Sequence, residues 1–231
     1  MKPIQTPNGS YEIDWDDCYI RNHMFSGQVY EAHIINHLKP IIEESNFIVD
    51  AGANIGCHTI SYALYNPNAR IWSFEPQKKL FDILERNIHR NNVSDRVTVC
   101  NKGLGHVNMN VSLSSLDSVR DDSHGQGGWN KGGLGIGVGG EMMELVTIDS
   151  LNLPGLDFLK IDVQGAEGLV IQGAAETIKK YKPKVFFEHN HQRIDPELVG
   201  LPYVSTPFAE LVKLGYKYFQ YLDWENYIAS M

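Results

Sequence analysis

The 231-residue sequence has little cysteine, no long apolar run and no excess of positive charge. Its three cysteines, Cys18, Cys57 and Cys100, are too few and too scattered for a disulfide framework. No CxxC pair signals a zinc ribbon or a thioredoxin-type site, so free thiols in a reducing compartment are expected. No stretch approaches the roughly 18 consecutive apolar residues of a membrane-spanning helix. The opening residues, MKPIQTPNGSYEIDWDD, lack the apolar centre of a secretory leader, which makes the cytoplasm the expected location. Lys and Arg total 20 against 28 Asp and Glu, a formal net charge of −8. That balance argues against a protein that coats nucleic acid or an anionic membrane. A GxGxxG dinucleotide fingerprint and a GK[ST] phosphate loop are both missing.

What is present is a globular chain. Hydrophobic residues make up 42% and charged residues 21%, enough to bury a core without staples. At about 150 residues per domain, the length allows one large domain or two small ones. From residue 47 onward, short β-type runs alternate with helical periodicity. Strands are expected at 47–50, 71–74, 97–100, 156–163, 184–188 and, as the last, 216–222. Helices are expected at 55–65, 77–91, one running from Ala166 to Ile178, and one closing at Gly215. Such alternation means a mostly parallel sheet covered by helices on both faces, with ligands at the carboxyl ends of its strands. Asp50, Glu75, Asp162 and Glu188 all sit at predicted strand ends, so they should gather along one rim.

Two regions interrupt the alternation. Residues 1–46 read as an N-terminal extension packed on the ligand edge, with a helix from Ala32 to Ile42. Residues 103–147 read as an insertion into the main domain of residues 47–231. It holds two antiparallel strands, at 108–113 and 142–148, around GQGGWNKGGLGIGVGG. Nine glycines in those sixteen residues suit either a surface excursion or a lid that orders over substrate.

The segment VDAGANIG carries the chemistry. A buried strand runs through Asp50 into a turn of small residues, Gly52, Ala53, Asn54, Ile55 and Gly56, and then into a helix. Small residues admit a ligand close to the backbone, and the helix start can receive a carboxylate. An acid at Asp50 is out of place beside a pyrophosphate and in place beside a cation. Glu75, followed by Pro76, ends the next strand 25 residues later, where a carboxylate can accept both hydroxyls of a ribose. Together these suit S-adenosylmethionine, which has an ammonium, a carboxylate, a ribose diol and no phosphate.

The sequence here resembles the FkbM-type S-adenosylmethionine-dependent methyltransferases. The matching stretches are FIVDAGANIGCHTISYA, IWSFEPQKKLFDILERNIHRNN, VTIDSL, FLKIDVQGAEGLVIQGAAETIKKYKPKVFFE and LGYKYFQ, in the family's order across residues 47–222. The resemblance implies a class I methyltransferase (Rossmann-like) fold: seven strands, mostly parallel, the last antiparallel, with helices on both faces. It places Asp50, Gly52, Asn54 and Gly56 in the cofactor loop and makes Glu75 the ribose-binding acid. Asn101, Lys102, Gly103 and Leu104 fall where such proteins surround adenine.

Methyl transfer to a hydroxyl also needs a group that takes the proton. Asp162 is the first candidate, doubling as a cofactor-side residue, and Glu188 and His189 on the next strand end are the others. For Asp162 the alternative is a structural bond to the following helix start, and for His189 a bond to loop carbonyls. Glu167 is read as a carboxylate in the first turn of its helix. Asp162, Glu188 and Asn190 could also hold a hard divalent cation, with His191 nearby, although a metal-free site is favoured. The other histidines show no ligand spacing, and the lysine runs 78–79 and 179–184 read as solvated surface. Aromatics at 216–227 alternate as in a strand; most should be core, a minority a platform for a sugar ring. The expected activity is O-methylation of a hydroxyl, first of a sugar in a glycan or glycoconjugate. A non-sugar metabolite alcohol, a nicotinamide-dependent oxidoreductase and a non-catalytic carbohydrate-binding module are the alternatives.

Overall fold

The computed structural model describes residues 2–121, 128–189, 194–223 and 225–231. Asn190, His191, His124 and Trp224 therefore lie outside the described residues.

A seven-stranded sheet forms the centre. Its strands in chain order are β1 (Phe47–Ala51), β2 (Arg70–Phe74), β3 (Val97–Cys100), β4 (Phe158–Ile161), β5 (Lys184–Glu188), β6 (Tyr218–Asp223) and β7 (Asn226–Ser230). In space they run β6-β7-β5-β4-β1-β2-β3, all parallel except β7, which is antiparallel to both its neighbours. This is the class I methyltransferase order. The chain leaves β1 for β2 and β3, then returns to β4 on the other side of β1, so the topological switch lies between β1 and β4.

Side chains alternate across the sheet and build two cores. Ile48, Phe158 and Phe186 face one layer, with helices α2 (Ala32–Glu43), α3 (Cys57–Tyr65) and α4 (Lys78–Arg90). Val49, Leu159, Val185 and Phe187 face the other, with α5 (Glu167–Gln172), α6 (Ala175–Tyr181) and α7 (Pro207–Lys213). Residues 2–46 border the ligand edge and share in the first core. Tyr11, Ile13, Ile20 and Met24 belong to the first core, the last two from helix α1 (Cys18–Met24). Fully buried Asn87 on α4 joins this segment to the rest. It accepts from the Glu12 N–H at 2.7 Å and donates to the carbonyls of Glu12 and Ile55, each at 2.9 Å.

Three sequence expectations need correction. The helix from Ala166 to Ile178 is two helices, broken at Gly173. The segment at Gly105 crosses there so closely that a Cβ on Gly173 would lie 1.9 Å from the Gly105 carbonyl oxygen. A continuous apolar period cannot report such a crossing. The strand near 216–222 is the sixth, not the last, because the chain turns back into β7. The C-terminal aromatics are correspondingly split. Tyr216 is buried, whereas Tyr218 and Tyr221, on the edge strand β6, are 67% and 58% exposed. The insertion does contain the antiparallel pair, Met109–Ser114 with Gly139–Val146. A two-residue strand, Gly103–Leu104, joins it in parallel. No described helix is long and apolar enough to cross a membrane.

Replacing Asn87 with Ala leaves three backbone groups, two half-buried at Glu12 and one buried at Ile55, without their partner. A loss of about 2–4 kcal/mol is expected in urea unfolding, far above the value for an exposed helical Asn.

Candidate active site at the strand tips

Two cavities adjoin beyond the carboxyl ends of β1, β2, β4 and β5. The first is a partly open pocket with a largely apolar lining and a few polar groups, the usual character of a small-molecule site. Gly52 and Asn54 from the turn after β1 form its floor, with Glu75, Pro76 and Gln77 from the end of β2 and Gly103–Leu104 beyond β3. Phe74, Leu113, Met143 and Leu145 give it apolar walls, and Gly132, Leu134, Gly135 and Ile136 form a roof. The second cavity shares Asn54, Gly132, Asp162 and Gln164 with the first and is otherwise mostly polar.

The turn after β1 depends on close approach. Gly52 has φ +79°, and a Cβ there would lie 1.8 Å from the Asp162 carbonyl oxygen, so the β1 and β4 tips touch through backbone. Beneath the turn lies Lys160, only 3% exposed, directly opposite Asp50 in the β1–β4 register. Its ammonium donates to the Gly52 carbonyl at 2.8 Å, pairs with Asp50 Oδ1 at 3.1 Å and stands 3.7 Å from Asp162 Oδ2. Burial disfavours the charge on Lys160, but Asp50 and Asp162 outweigh it and hold the ammonium protonated. Thr59 donates to the other Asp50 oxygen at 2.6 Å.

Fully buried Asp50 thus does not reach the cavity; it braces the turn from below. Ala53, Ile55 and Gly56 are buried and shape the turn without lining either cavity. Glu75 is placed as expected. One oxygen accepts the Asn54 N–H at 2.9 Å and the other the Gln77 N–H at 2.8 Å, leaving each a further lone pair for a ligand diol. Burial pushes its carboxyl up to about 7. Gly103 lines the cavity, whereas Lys102 turns outward to Glu144 at 2.8 Å. Asn101 instead donates to the carbonyls of Glu75 and Pro76, fixing the β2 tip.

Asp162 lies on the wall common to both cavities. The Gln164 amide nitrogen stands 2.9 Å from Asp162 Oδ1 and 3.2 Å from Glu188 Oε2, bridging the two acids. Burial, then the Asp162 charge, pushes the Glu188 carboxyl upward, so Glu188 keeps its proton at neutral pH. Glu188 lines the second cavity. His189 does not accompany it. Successive strand residues point to opposite faces, and the His189 ring packs on Phe208, 5.3 Å between centroids. Glu167 accepts from the N–H groups of Val163 and Gly165, both at 3.1 Å, and closes the loop before α5. Among the described residues no group of three or more His, Cys, Asp or Glu could hold a metal ion, and Asn190 is not described.

The described part of the glycine-rich segment is tied down rather than loose. Lys131, buried, pairs with Asp14 at 2.7 Å. Its N–H donates to Asp17 Oδ2 at 3.0 Å, and its carbonyl accepts from Gln77 at 2.8 Å. Sequence reasoning put the N-terminal extension at this edge but missed Lys160, Lys131, Gln164 and the individual wall residues Tyr19, Tyr30 and Glu31. A lysine inside the apolar strand FLKI was the one readable signal, because a buried ammonium requires partners.

A family profile described as the methyltransferase FkbM domain matches residues 50–228. Methyltransferase sdnD of Sordaria araneosa is 26% identical over 177 residues, 64% of this chain and 68% of that protein. Methyltransferase 1 of Beauveria bassiana is 27% identical over 173 residues, 67% of this chain and 66% of that protein. A crystal structure of Methyltransferase FkbM from Methylobacillus flagellatus superimposes with TM-score 0.55 at 18% identity, covering 96% of this chain and 48% of the other. A precorrin-6y C5,15-methyltransferase from Geobacter metallireducens gives 0.51 at 11% identity, covering 96% and 98%. This chain therefore spans about two thirds of the curated relatives and about half of the Methylobacillus protein.

Lys160→Met leaves Asp50 buried without its counter-charge, and a loss of about 3–5 kcal/mol is expected. The double variant Asp50→Asn/Lys160→Met should recover most of it in urea unfolding. For Glu75, the folded protein holds a proton between pH 4.5 and about 7 that the unfolded chain has released. Stability therefore falls as pH rises through that window. Glu75→Gln, fixed in the neutral form, should gain about 2 kcal/mol on wild type between pH 5 and pH 8. An unchanged difference in unfolding free energy would contradict this burial.

Proposed function

The chain belongs to the FkbM methyltransferase family, and from that premise we propose an S-adenosylmethionine-dependent O-methyltransferase whose first acceptor class is a sugar hydroxyl of a glycan or glycoconjugate. The observation that supports it most is the pairing of cavities. A largely apolar one with a buried carboxylate at the β2 tip opens, at Asp162, onto a polar one. The residues fit the cofactor: Glu75 offers both oxygens to a ribose diol, and Gly52 and Gly103 line the cavity, their missing side chains letting the walls at Asp162 and Leu145 close in behind them. The walls carry no phosphate-binding loop.

When bound, S-adenosylmethionine supplies a methyl group already activated by its sulfonium. The chain's own share is to exclude water, aim the acceptor oxygen and remove its proton. Asp162, on the shared wall, would accept the proton of the acceptor hydroxyl. Glu188, protonated and joined to Asp162 through Gln164, limits negative charge in the cleft and fixes the direction of Asp162.

Calorimetry with S-adenosylhomocysteine and transfer of a labelled methyl group to glycans test the assignment. Glu75→Ala should weaken binding by about tenfold or more, through loss of charge-assisted hydrogen bonds. Asp162→Asn should lower turnover about 100-fold or more, as expected for loss of a general base, while affinity changes little. Unchanged affinity in Glu75→Ala would remove the nucleoside from this cavity.

A further inference from the structure

The second cavity has an outer wall that the family profile does not reach. The profile begins at residue 50, whereas Tyr19, Ile20, Tyr30 and Glu31 line this cavity from the N-terminal segment. Their placement is built in. Asp17 Oδ1 caps α1 by accepting the N–H groups of Tyr19 and Ile20, each at 3.0 Å, while its other oxygen holds the roof at Lys131. One carboxylate thereby fixes Tyr19 relative to the roof over both cavities. The Tyr19 and Tyr30 rings meet edge-on at 5.7 Å, and His23 supports both at 4.9 and 5.3 Å. Glu31 sits in the left-handed region at φ 56°, its carboxylate 2.8 Å from His58 Nε2. Holding a glutamate there costs strain that neighbouring structure must offset.

The wall's charge is one-sided. Glu31, Asp162 and Glu225 line the cavity beside Glu188, which keeps its proton, and no lysine, arginine or histidine does so among the described residues. The nearby basic side chains stand behind the wall: Lys160 beneath the turn with Asp50 and 3.7 Å from Asp162, Lys131 with Asp14, and His58 hydrogen-bonded to Glu31. Tyrosine faces accept the C–H face of a ring or a cation, carboxylates accept hydroxyl or ammonium protons, and both repel an anion.

Resting on the methyltransferase reading above, we propose that this cavity is the acceptor site, that the N-terminal residues Tyr19, Tyr30 and Glu31 set its specificity, and that it takes a polyhydroxyl compound bearing no phosphate or carboxylate. The acceptor lies with a ring face on the tyrosines and its reacting hydroxyl toward Asp162.

Saturation-transfer NMR on the full chain, saturated with S-adenosylhomocysteine, tests this with glucose, glucosamine and glucose 6-phosphate. Glucose and glucosamine should bind, and glucose 6-phosphate about tenfold more weakly or not at all, a difference of about 1.4 kcal/mol. Tyr19→Ala should weaken glucose about fivefold and Tyr19→Phe less than twofold, at unchanged S-adenosylhomocysteine affinity. Glu225→Gln should narrow the discrimination against phosphate, and it keeps the test decisive if Tyr19→Ala does not fold. Glucose 6-phosphate binding as well as glucose, or glucose binding indifferent to Tyr19→Ala, overturns the proposal. Binding of S-adenosylhomocysteine without any of the sugars overturns the polyhydroxyl class and leaves the cofactor site standing. Failure of S-adenosylhomocysteine to bind wild type overturns the methyltransferase reading itself.

Discussion

The buried pair of Lys160 and Asp50 is the constraint on which the strand tips depend. It sits in the centre of a parallel sheet, at the switch between β1 and β4, where apolar residues would be cheaper to bury. Desolvating both charges makes the pair a poor source of net stability. What it contributes is position. The lysine has three donors, and they meet Gly52, Asp50 and the neighbourhood of Asp162. A single ammonium therefore fixes the glycine turn that forms the first cavity's floor and the carboxylate that both cavities share. Thr59 on α3 bonds to both Asp50 and Ser73, extending the same polar row across β2. An apolar pair would fill the space without defining any of these directions.

The roof poses the opposite problem. Glycines let backbone pass close to a ligand, but they bring no side chains with which to pack. The segment from Gly128 to Gly140 is held by backbone bonds to Val119, Ser114 and Ser112 and by Ile136 packed in a small core. Its Lys131 adds polar ties to Asp14, Asp17 and Gln77. Two of those partners belong to the N-terminal segment, which is anchored in turn by Asn87 and by its own share of the first core. The N-terminal segment and the roof are thus tied to each other through Asp14, Asp17 and Lys131.

Much of this was legible in the sequence because strand and helix periods are local. The positions of β1 to β5, the acids at their tips and the small-residue turn follow from alternation and spacing alone. Glu75 could be placed because an acid ending the second strand has nowhere else to be. Other features are tertiary and leave no local trace. Tyr19, Tyr30 and Glu31 carry no motif; Tyr19 is placed by the capping of α1 against the roof, and Tyr30 and Glu31 by contacts with Tyr19, His23 and His58. The break at Gly173 exists because Gly105 crosses there. His189 was misplaced for a simpler reason: a neighbour in sequence to Glu188 is, on a strand, its opposite in direction.

The electrostatics of the rim also explain why glycines alone were a poor guide to the ligand. A glycine turn before a helix suits phosphate as readily as it suits an amino acid. Here the surrounding charges decide. Glu75, Asp162 and Glu188 follow β2, β4 and β5 along one edge, and burial raises Glu75 to about 7 and pushes Glu188 upward as well. Carboxyls already reluctant to ionise would bear a pyrophosphate badly, since each added negative charge works against the same desolvation. A ligand that brings hydroxyl donors and positive charge has the opposite effect, because it satisfies the carboxylates as it enters. The proposed cofactor has that character at both ends of the first cavity. The rim and its ligand are then matched by sign before any shape is considered, and the glycines serve only to let the two approach.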